Sequence, residues 1–300
     1  MRTETIDALT AYARAHPDVM LLTADLGYSV LERFAEALPA QYCNVGVCEQ
    51  AMTGVAAGLA LSGHRVITYS IANFPTLRCL EQVRNDICYH NLPVTILAVG
   101  GGLAYGSQGY THHGVEDLGI MAMLPNMAVA SPADPTEAET LLPQLLERRR
   151  PAYLRLGRAG EQRLHPPGTP VPLGPALRLR TGHDIALLAT GPILGRALAA
   201  ADALAATDLS ASVYSFPTIL PLDTATIREA ARTHPAILTL EEHSTQGGFG
   251  SRVAEALLLA GLAPRFAKYG ITEALLGRIG TQDWLLDQLG SVEDHARALL

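Results

Sequence analysis

The segment CNVGVCEQAMTGVAAGLALSGH (43–64) holds one acidic side chain, Glu49, ahead of a run of Ala, Gly, Val and Leu. A carboxylate at the head of a stretch built for burial either does proton chemistry in a dry wall or sits at a helix start, where an acid gains about 0.3–1 kcal/mol from the helix dipole. Position alone leaves both readings open. A second candidate is GGGLAYGSQGYTHHGVEDLG (100–119). Its glycines let backbone approach a ligand, and the neutral imidazoles of His112 and His113 can donate or accept a hydrogen bond. Gly100, Gly102 and Gly106 do not fall in the GxGxxG spacing of dinucleotide sites, and His113 with Glu116 reads equally as a capping, solvent-facing pair ahead of a helix beginning near Val115. YLRLGR (153–158) ends a strand with Arg155 and Arg158, whose guanidinium forks suit phosphate. NFPTLRCLEQVRNDI (73–87) reads as a helix with Phe74 at its start and Arg78 one turn on, an aromatic of the kind that is most often core.

The elements that must position these groups follow from hydrophobic patterning. Apolar runs at 19–24, 64–70, 93–100, 127–132, 152–156, 184–190, 210–216 and 236–242 lack polar alternation and are separated by helix-length segments. That pattern predicts an α/β protein of doubly wound, mostly parallel sheets covered on both faces. The stretch LHPPGTPVPLGPALRLRTG is dense in Pro and Gly and interrupts the alternation, so the chain divides into a domain at 1–164, a linker at 165–182 and a domain at 183–300. The turns LATGPILG and QGGFGS each lead from a strand end into a helix, and either free amides or plain doubly wound geometry accounts for them. Gly54 and Gly58 cost about 1 kcal/mol each inside a helix, which calls for a close-packing reason such as a subunit interface.

With 300 residues, 48% hydrophobic and 17% charged, the chain can build a large core. A net charge of −7 gives no electrostatic footprint for nucleic acid or anionic membrane, and small metabolites fit better. The amphipathic N-terminus carries acids from the start, unlike a signal peptide, and no apolar span reaches the ~20 residues of a membrane helix, so a cytoplasmic protein is expected. Cys43, Cys48, Cys79 and Cys88 show no metal-type spacing and are expected to be reduced and mostly buried.

Taken in order, ADLGYS, NVGVCEQAMTGVAAGLALSG, LRCLEQVRNDI, GYTHHGVEDLGIMAMLPNMAVASPADPTEAE, PAYLRLGR and LEEHSTQGGFGS resemble the C-terminal half of a transketolase, and specifically the small subunit of split transketolases. The resemblance implies a pyrimidine-binding domain followed by a transketolase C-terminal domain, and thiamine diphosphate as cofactor. It implies that Glu49, in the matching GxxEQ motif, hydrogen-bonds a pyrimidine ring nitrogen and favours the imino tautomer that deprotonates the thiazolium. Burial there penalises the charged carboxylate and so favours sharing a proton. It further implies Asp25 near the cofactor, Phe74 against the pyrimidine and Ser29 and Arg158 at a substrate phosphate. His112 would meet the donor's terminal hydroxyl, with Arg78 a candidate for the substrate channel. Two positions depart from the family. Gln108 stands where an aspartate precedes the histidine, and Gly100 where many members have a second histidine, which bears on the choice of sugar acceptor.

The family's GDG motif, which marks the domain holding the diphosphate and its Mg2+ or Ca2+, does not occur in the 300 residues. The resemblance therefore implies a separate partner subunit carrying that domain, in a heterotetramer of two copies each. The implied reaction transfers a two-carbon ketol unit from a ketose, phosphorylated by preference, to an aldehyde. The alternatives are a ketoacid-using relative, similar to deoxyxylulose-phosphate synthase or a 2-oxoacid dehydrogenase beta chain, and a non-catalytic regulatory partner. THHGVEDLG speaks against a dehydrogenase beta chain, and retention of Glu49 and His112 against a decayed site.

Overall fold

The continuous apolar runs fold as strands buried on both faces, as parallel sheets require. In the computed structural model, which describes residues 1–300, the N-terminal part supplies β1 (Val19–Thr23), β2 (Tyr42–Asn44), β3 (Arg65–Ile71), β4 (Val94–Val99), β5 (Ala128–Ala130) and β6 (Ala152–Leu156). The C-terminal part supplies β7 (Leu177–Arg180), β8 (Ile185–Thr190), β9 (Ala211–Ser215), β10 (Thr218–Leu220), β11 (Ala236–Ser244) and β12 (Arg265–Ile271). The first sheet runs in the order β10-β5-β6-β4-β3-β1-β2 and the second β12-β11-β8-β9-β7. All pairings are parallel except β10 with β5 and β7 with β9. Every residue of β3, β4 and β6 is buried.

In the first sheet the chain passes outward from β1 to β2 and returns on the other side of β1 as β3, which makes a topological switch point beside β1. The crevice beyond the carboxyl ends of strands at such a point is where open α/β sheets bind ligands. The segments that leave β1, β2, β3, β4 and β6 at that edge carry Asp25, Glu49, Phe74, His112 and Arg158.

Helix Arg2–Ala15 lies against helix Pro135–Glu147 on one face of the first sheet, and helix Glu49–Leu61 packs on β3 from the other. Arg65 at the start of β3 is buried and donates to Asp18 through Nε at 2.9 Å and Nη2 at 2.8 Å. The two sheets share one core: Leu118 and Met121 pack in the same apolar cluster as Phe216 and Phe249, whose rings lie 5.1 Å apart.

Their junction also holds a buried polar cluster. Asp134 caps helix Pro135–Glu147 by accepting from the Glu137 amide (2.9 Å) and takes the Leu164 and His165 amides on its other oxygen. Glu137 accepts from the Ala133 amide and, across the junction, from Ser215 Oγ, each at 2.6 Å. The His165 ring stands between them, 3.3 Å from Asp134 and 3.6 Å from Glu137. Burial drives the Glu137 carboxyl up to about 7 against its hydrogen bond from Ser215. Burial works the same way on Asp134, but the bonds from His165, Glu137 and Leu164 outweigh it and hold that carboxyl at about 2.

The structure departs from the sequence reading in three local features. Residues 73–87 are not one regular helix: turns lead into Leu80–Gln82 and then a π-helical segment, Val83–Tyr89. The helix expected to begin near Val115 begins at Asp117. Segment 165–182 includes the strand β7, whose alternating half-exposed residues pair antiparallel at a sheet edge. No helix is long and apolar enough to cross a membrane.

Candidate active site

Glu49 is the first residue of helix Glu49–Leu61 and is 3% exposed. Its Oε2 accepts from Arg78 Nη1 at 2.7 Å, and Oε1 takes no hydrogen bond from the chain. An acid serving only the helix dipole would stay in solvent, whereas this one is desolvated and paired. The Arg78 guanidinium also lies over the Phe74 ring at 4.9 Å, and that ring meets His112 edge-on at 5.2 Å. Asn73, Phe74, Leu77 and Arg78 line a cleft of about 380 Å³ together with Tyr110, Thr111, His113 and Glu116 of the glycine-rich loop. Asn73 ties the two walls together by donating to the Thr111 carbonyl at 2.8 Å.

The glycine-rich loop after β4 forms the far wall. Gly100 and Gly102 adopt positive φ, 73° and 65°, where side chains are disfavoured. Between them, a Cβ on Gly101 would stand 1.9 Å from Arg155 Nε, so the bare backbone is what lets that arginine through. Arg155 is not a phosphate ligand in waiting, as its place at a strand end suggests. It is buried and donates through Nη2 to the carbonyls of Gly114 (2.7 Å) and Glu242 (2.6 Å), with Nε 3.4 Å from Asp117. It pins the loop to the second sheet.

His113 is likewise buried rather than solvent-facing. Burial holds it below the usual imidazole range, and its Nε2 has no partner. His112 stays half-exposed, with Nδ1 3.0 Å from Thr111 Oγ1.

The remaining predicted residues lie at the same sheet edge. Arg158 is exposed and sits over the Tyr105 ring at 5.1 Å, while Tyr105 stands 6.5 Å from His112. A chain of contacts thus runs from Arg158 through Tyr105, His112, Phe74 and Arg78 to Glu49. Asp25, Ser29 and Gln108 stand outside it. Asp25 (φ 56°) exchanges hydrogen bonds with Asn44 at 3.0 and 3.1 Å. Ser29 (φ 63°) is exposed, its amide donating to Glu32 at 2.8 Å, and Gln108 is exposed at the end of the turn Gly106–Gln108.

Sequence reasoning misses Tyr105, Tyr110 and Asn73. Aromatics inside a glycine-rich loop are the signal that would find both tyrosines, although Tyr105 also packs in an apolar core cluster.

The motif LEEHSTQGGFGS serves structure. Glu241 accepts from the Phe249 and Gly250 amides at 2.6 and 2.8 Å, so the start of helix Phe249–Leu259 is capped by the chain's own carboxylate. Burial raises the carboxyls of Glu241 and Glu242 alike. His243 Nε2 accepts from the Gly119 amide at 3.1 Å. Among the cysteines, all free, Cys79 and Cys88 are buried, whereas Cys48 beside Glu49 is exposed, contrary to expectation.

The family model for the transketolase pyrimidine-binding domain matches residues 1–160, and that for the transketolase C-terminal domain matches 174–288. The chain belongs to the transketolase family. Among its transketolase relatives is an apulose-4-phosphate transketolase subunit of Phocaeicola vulgatus, 37% identical over 84% of this chain and 81% of the relative. A 6-deoxy-6-sulfo-D-fructose transketolase subunit of a Clostridium species is 34% identical over 97% of this chain and 90% of its own length. A solved split-gene transketolase, described as an inactive beta4 tetramer, superposes with a TM-score of 0.88 at 34% identity, covering 99% of this chain and 95% of that one. The transketolase cofactor is thiamine diphosphate. A buried carboxylate with one oxygen free of hydrogen bonds from the chain, joined through Arg78 to the Phe74 ring and the histidine at its edge, suits the flat, hydrogen-bonding face of an aminopyrimidine.

Proposed function

We propose that this chain is the pyrimidine-binding subunit of a two-chain, thiamine diphosphate-dependent transketolase that moves a two-carbon ketol unit from an anionic ketose to an aldehyde. The observation that carries the reading is the placement of Glu49: a desolvated carboxylate, held on one oxygen by Arg78 and open on the other, with Arg78 lying over the Phe74 ring that meets His112. When bound, the cofactor would supply nucleophilic chemistry toward the ketose carbonyl. Glu49 Oε1 would bond the pyrimidine ring nitrogen and share a proton with it, Phe74 would support the ring, and Asp25 would stand near the cofactor. His112 bonds a substrate hydroxyl and Gln108 meets the acceptor's hydroxyls. Arg158 and Ser29, both exposed, would recognise a terminal phosphate or sulfonate. The relatives' names, apulose-4-phosphate and 6-deoxy-6-sulfo-D-fructose transketolase, each contain such an anionic ketose.

The diphosphate and its Mg2+ or Ca2+ belong to a partner subunit with a GDG motif, in a complex of two copies of each chain acting in the cytoplasm. Support comes from the names of the relatives. Both are named as subunits of a transketolase rather than as whole enzymes, and the inactivity of the structural relative's beta4 assembly points the same way.

Titration calorimetry tests the reading. The chain alone binds thiamine diphosphate poorly with Mg2+, and binds it once the partner is added. Tight, magnesium-dependent binding without a partner refutes the two-chain assignment. In the assembled complex Glu49→Gln, nearly isosteric, lowers turnover by about 10²–10⁴-fold. Wild-type turnover in that variant refutes the role of Glu49.

A further inference from the structure

We propose that Arg78 is the positioning residue of the Glu49 carboxylate, an inference that rests on the pyrimidine-binding reading above. Glu49 receives one side-chain hydrogen bond, from Arg78 Nη1 to Oε2, so this contact alone sets the direction in which Oε1 points. The pair spans a sharp change of medium: the carboxylate is 3% exposed and the guanidinium 50%. Arg78 in turn is steadied by the Phe74 ring beneath it and makes no other ion pair. A planar guanidinium can hold one carboxylate oxygen and stack on an aromatic face at once, which a lysine ammonium on its flexible stem does not reproduce. Pocket and carboxylate are therefore coupled through one side chain, because Arg78 lines the cleft beside Phe74 and also bonds Glu49.

The consequence is preorganisation. A ring nitrogen approaching Oε1 meets a carboxylate whose rotamer is already fixed, so the ordering cost falls outside the binding event. Without Arg78 the carboxylate is buried and unpaired, and is free to turn away from the cleft. Arg78 acts through Glu49, so its effect must depend on the atom that Glu49 bonds.

The test is calorimetric titration of the assembled two-chain complex with thiamine diphosphate and, separately, with an analogue whose pyrimidine lacks the ring nitrogen facing Glu49. Loss of a charge-assisted bond sets the scale, so Arg78→Ala weakens thiamine diphosphate binding by about 10- to 100-fold. Binding of the analogue changes by less than about twofold, and Arg78→Lys recovers part of the loss for the natural cofactor. Equal weakening of both ligands makes Arg78 a general wall of the cleft and overturns the proposal. Unchanged or tighter binding of thiamine diphosphate in Arg78→Ala overturns it too, since the arginine then blocks rather than positions. A wild-type complex that binds no thiamine diphosphate refutes the proposed function itself, and this inference with it, whereas failure of Arg78 alone is read only against a wild type that binds. The unfolding midpoint of each variant as an isolated chain confirms folding, and Arg78→Lys, which keeps charge and stem, supplies the comparison should Arg78→Ala be unstable.

Discussion

Glu137 makes the stability of the chain depend on pH in a direction opposite to ordinary acid denaturation. The unfolded chain ionises this carboxyl near 4.5, while in the fold burial holds it protonated up to about 7. Its contribution is therefore full below pH 4.5 and is lost as pH rises through 7, which at 1.36 kcal/mol per unit amounts to about 3 kcal/mol. His165 acts in the same sense. Burial opposes its charge, but Asp134 and Glu137 carry its folded value above the usual imidazole range, so its contribution is also lost as pH rises. Asp134, held at about 2, matters only below about pH 4, where its contribution disappears with acid. The perturbation is Glu137→Gln. The amide oxygen keeps the Ala133 amide, and the amide nitrogen donates to Ser215 Oγ once that hydroxyl rotates, so packing and bonding survive while the titration of Glu137 and its share in raising His165 are removed. Thermal unfolding followed by circular dichroism at pH 5, 6, 7 and 8 and constant ionic strength reads the effect. The wild-type midpoint falls towards pH 8 more steeply than the variant's, and the gap between the curves widens by about 5–10 °C. Glu241 and Glu242 titrate in both proteins and cancel in the difference. Parallel curves for the two proteins would mean that the junction holds Glu137 ionised throughout, and the reasoning fails.

Gly101→Ala forces a Cβ against Arg155, breaking the pin to Gly114 and Glu242, and a urea midpoint lower by at least about 3 kcal/mol of stability is expected. Gly58→Ala is the counterpart: nothing lies within 4 Å of the new methyl, so the isolated chain gains about 0.5–1 kcal/mol of helix propensity in the same assay. Gln108→Asp in the assembled enzyme raises kcat/KM for 2-hydroxyaldehyde acceptors relative to matched deoxy acceptors. A wild type that already strongly favours the hydroxylated acceptor, with no gain in the variant, removes Gln108 from acceptor choice.

The strands legible in the sequence are those buried on both faces, because a continuous apolar run marks a strand with neighbours on either side. The strands that patterning passes over, β2, β7, β10 and β12, are the four sheet edges. β2 and β7 are short and half-wetted, and residues such as the Arg178 and Arg180 of β7 look like loop. At the site, Glu49 and His112 are visible because a lone acid before an apolar helix and a histidine in a glycine loop stand out locally. The pairing of Glu49 with Arg78 spans 29 residues and depends on a turn before an irregular helix, which periodicity does not report. Arg155 looks like a ligand because strand-end arginines often are, and its burial becomes apparent only with Gly101 and Glu242 in view. The small face at Gly54 and Gly58 is unusual in the sequence, and it is open in this chain.

β10 comes from beyond the Pro-rich segment, yet it closes the edge of the first sheet by pairing antiparallel with β5, Thr218 opposite Ala130. This constrains where evolution can cut such a protein. A break at 165–182 would part β10 from β5 and present the unpaired amides and carbonyls of β5 to any strand that passes, so the first sheet needs the second half of the chain to close its edge.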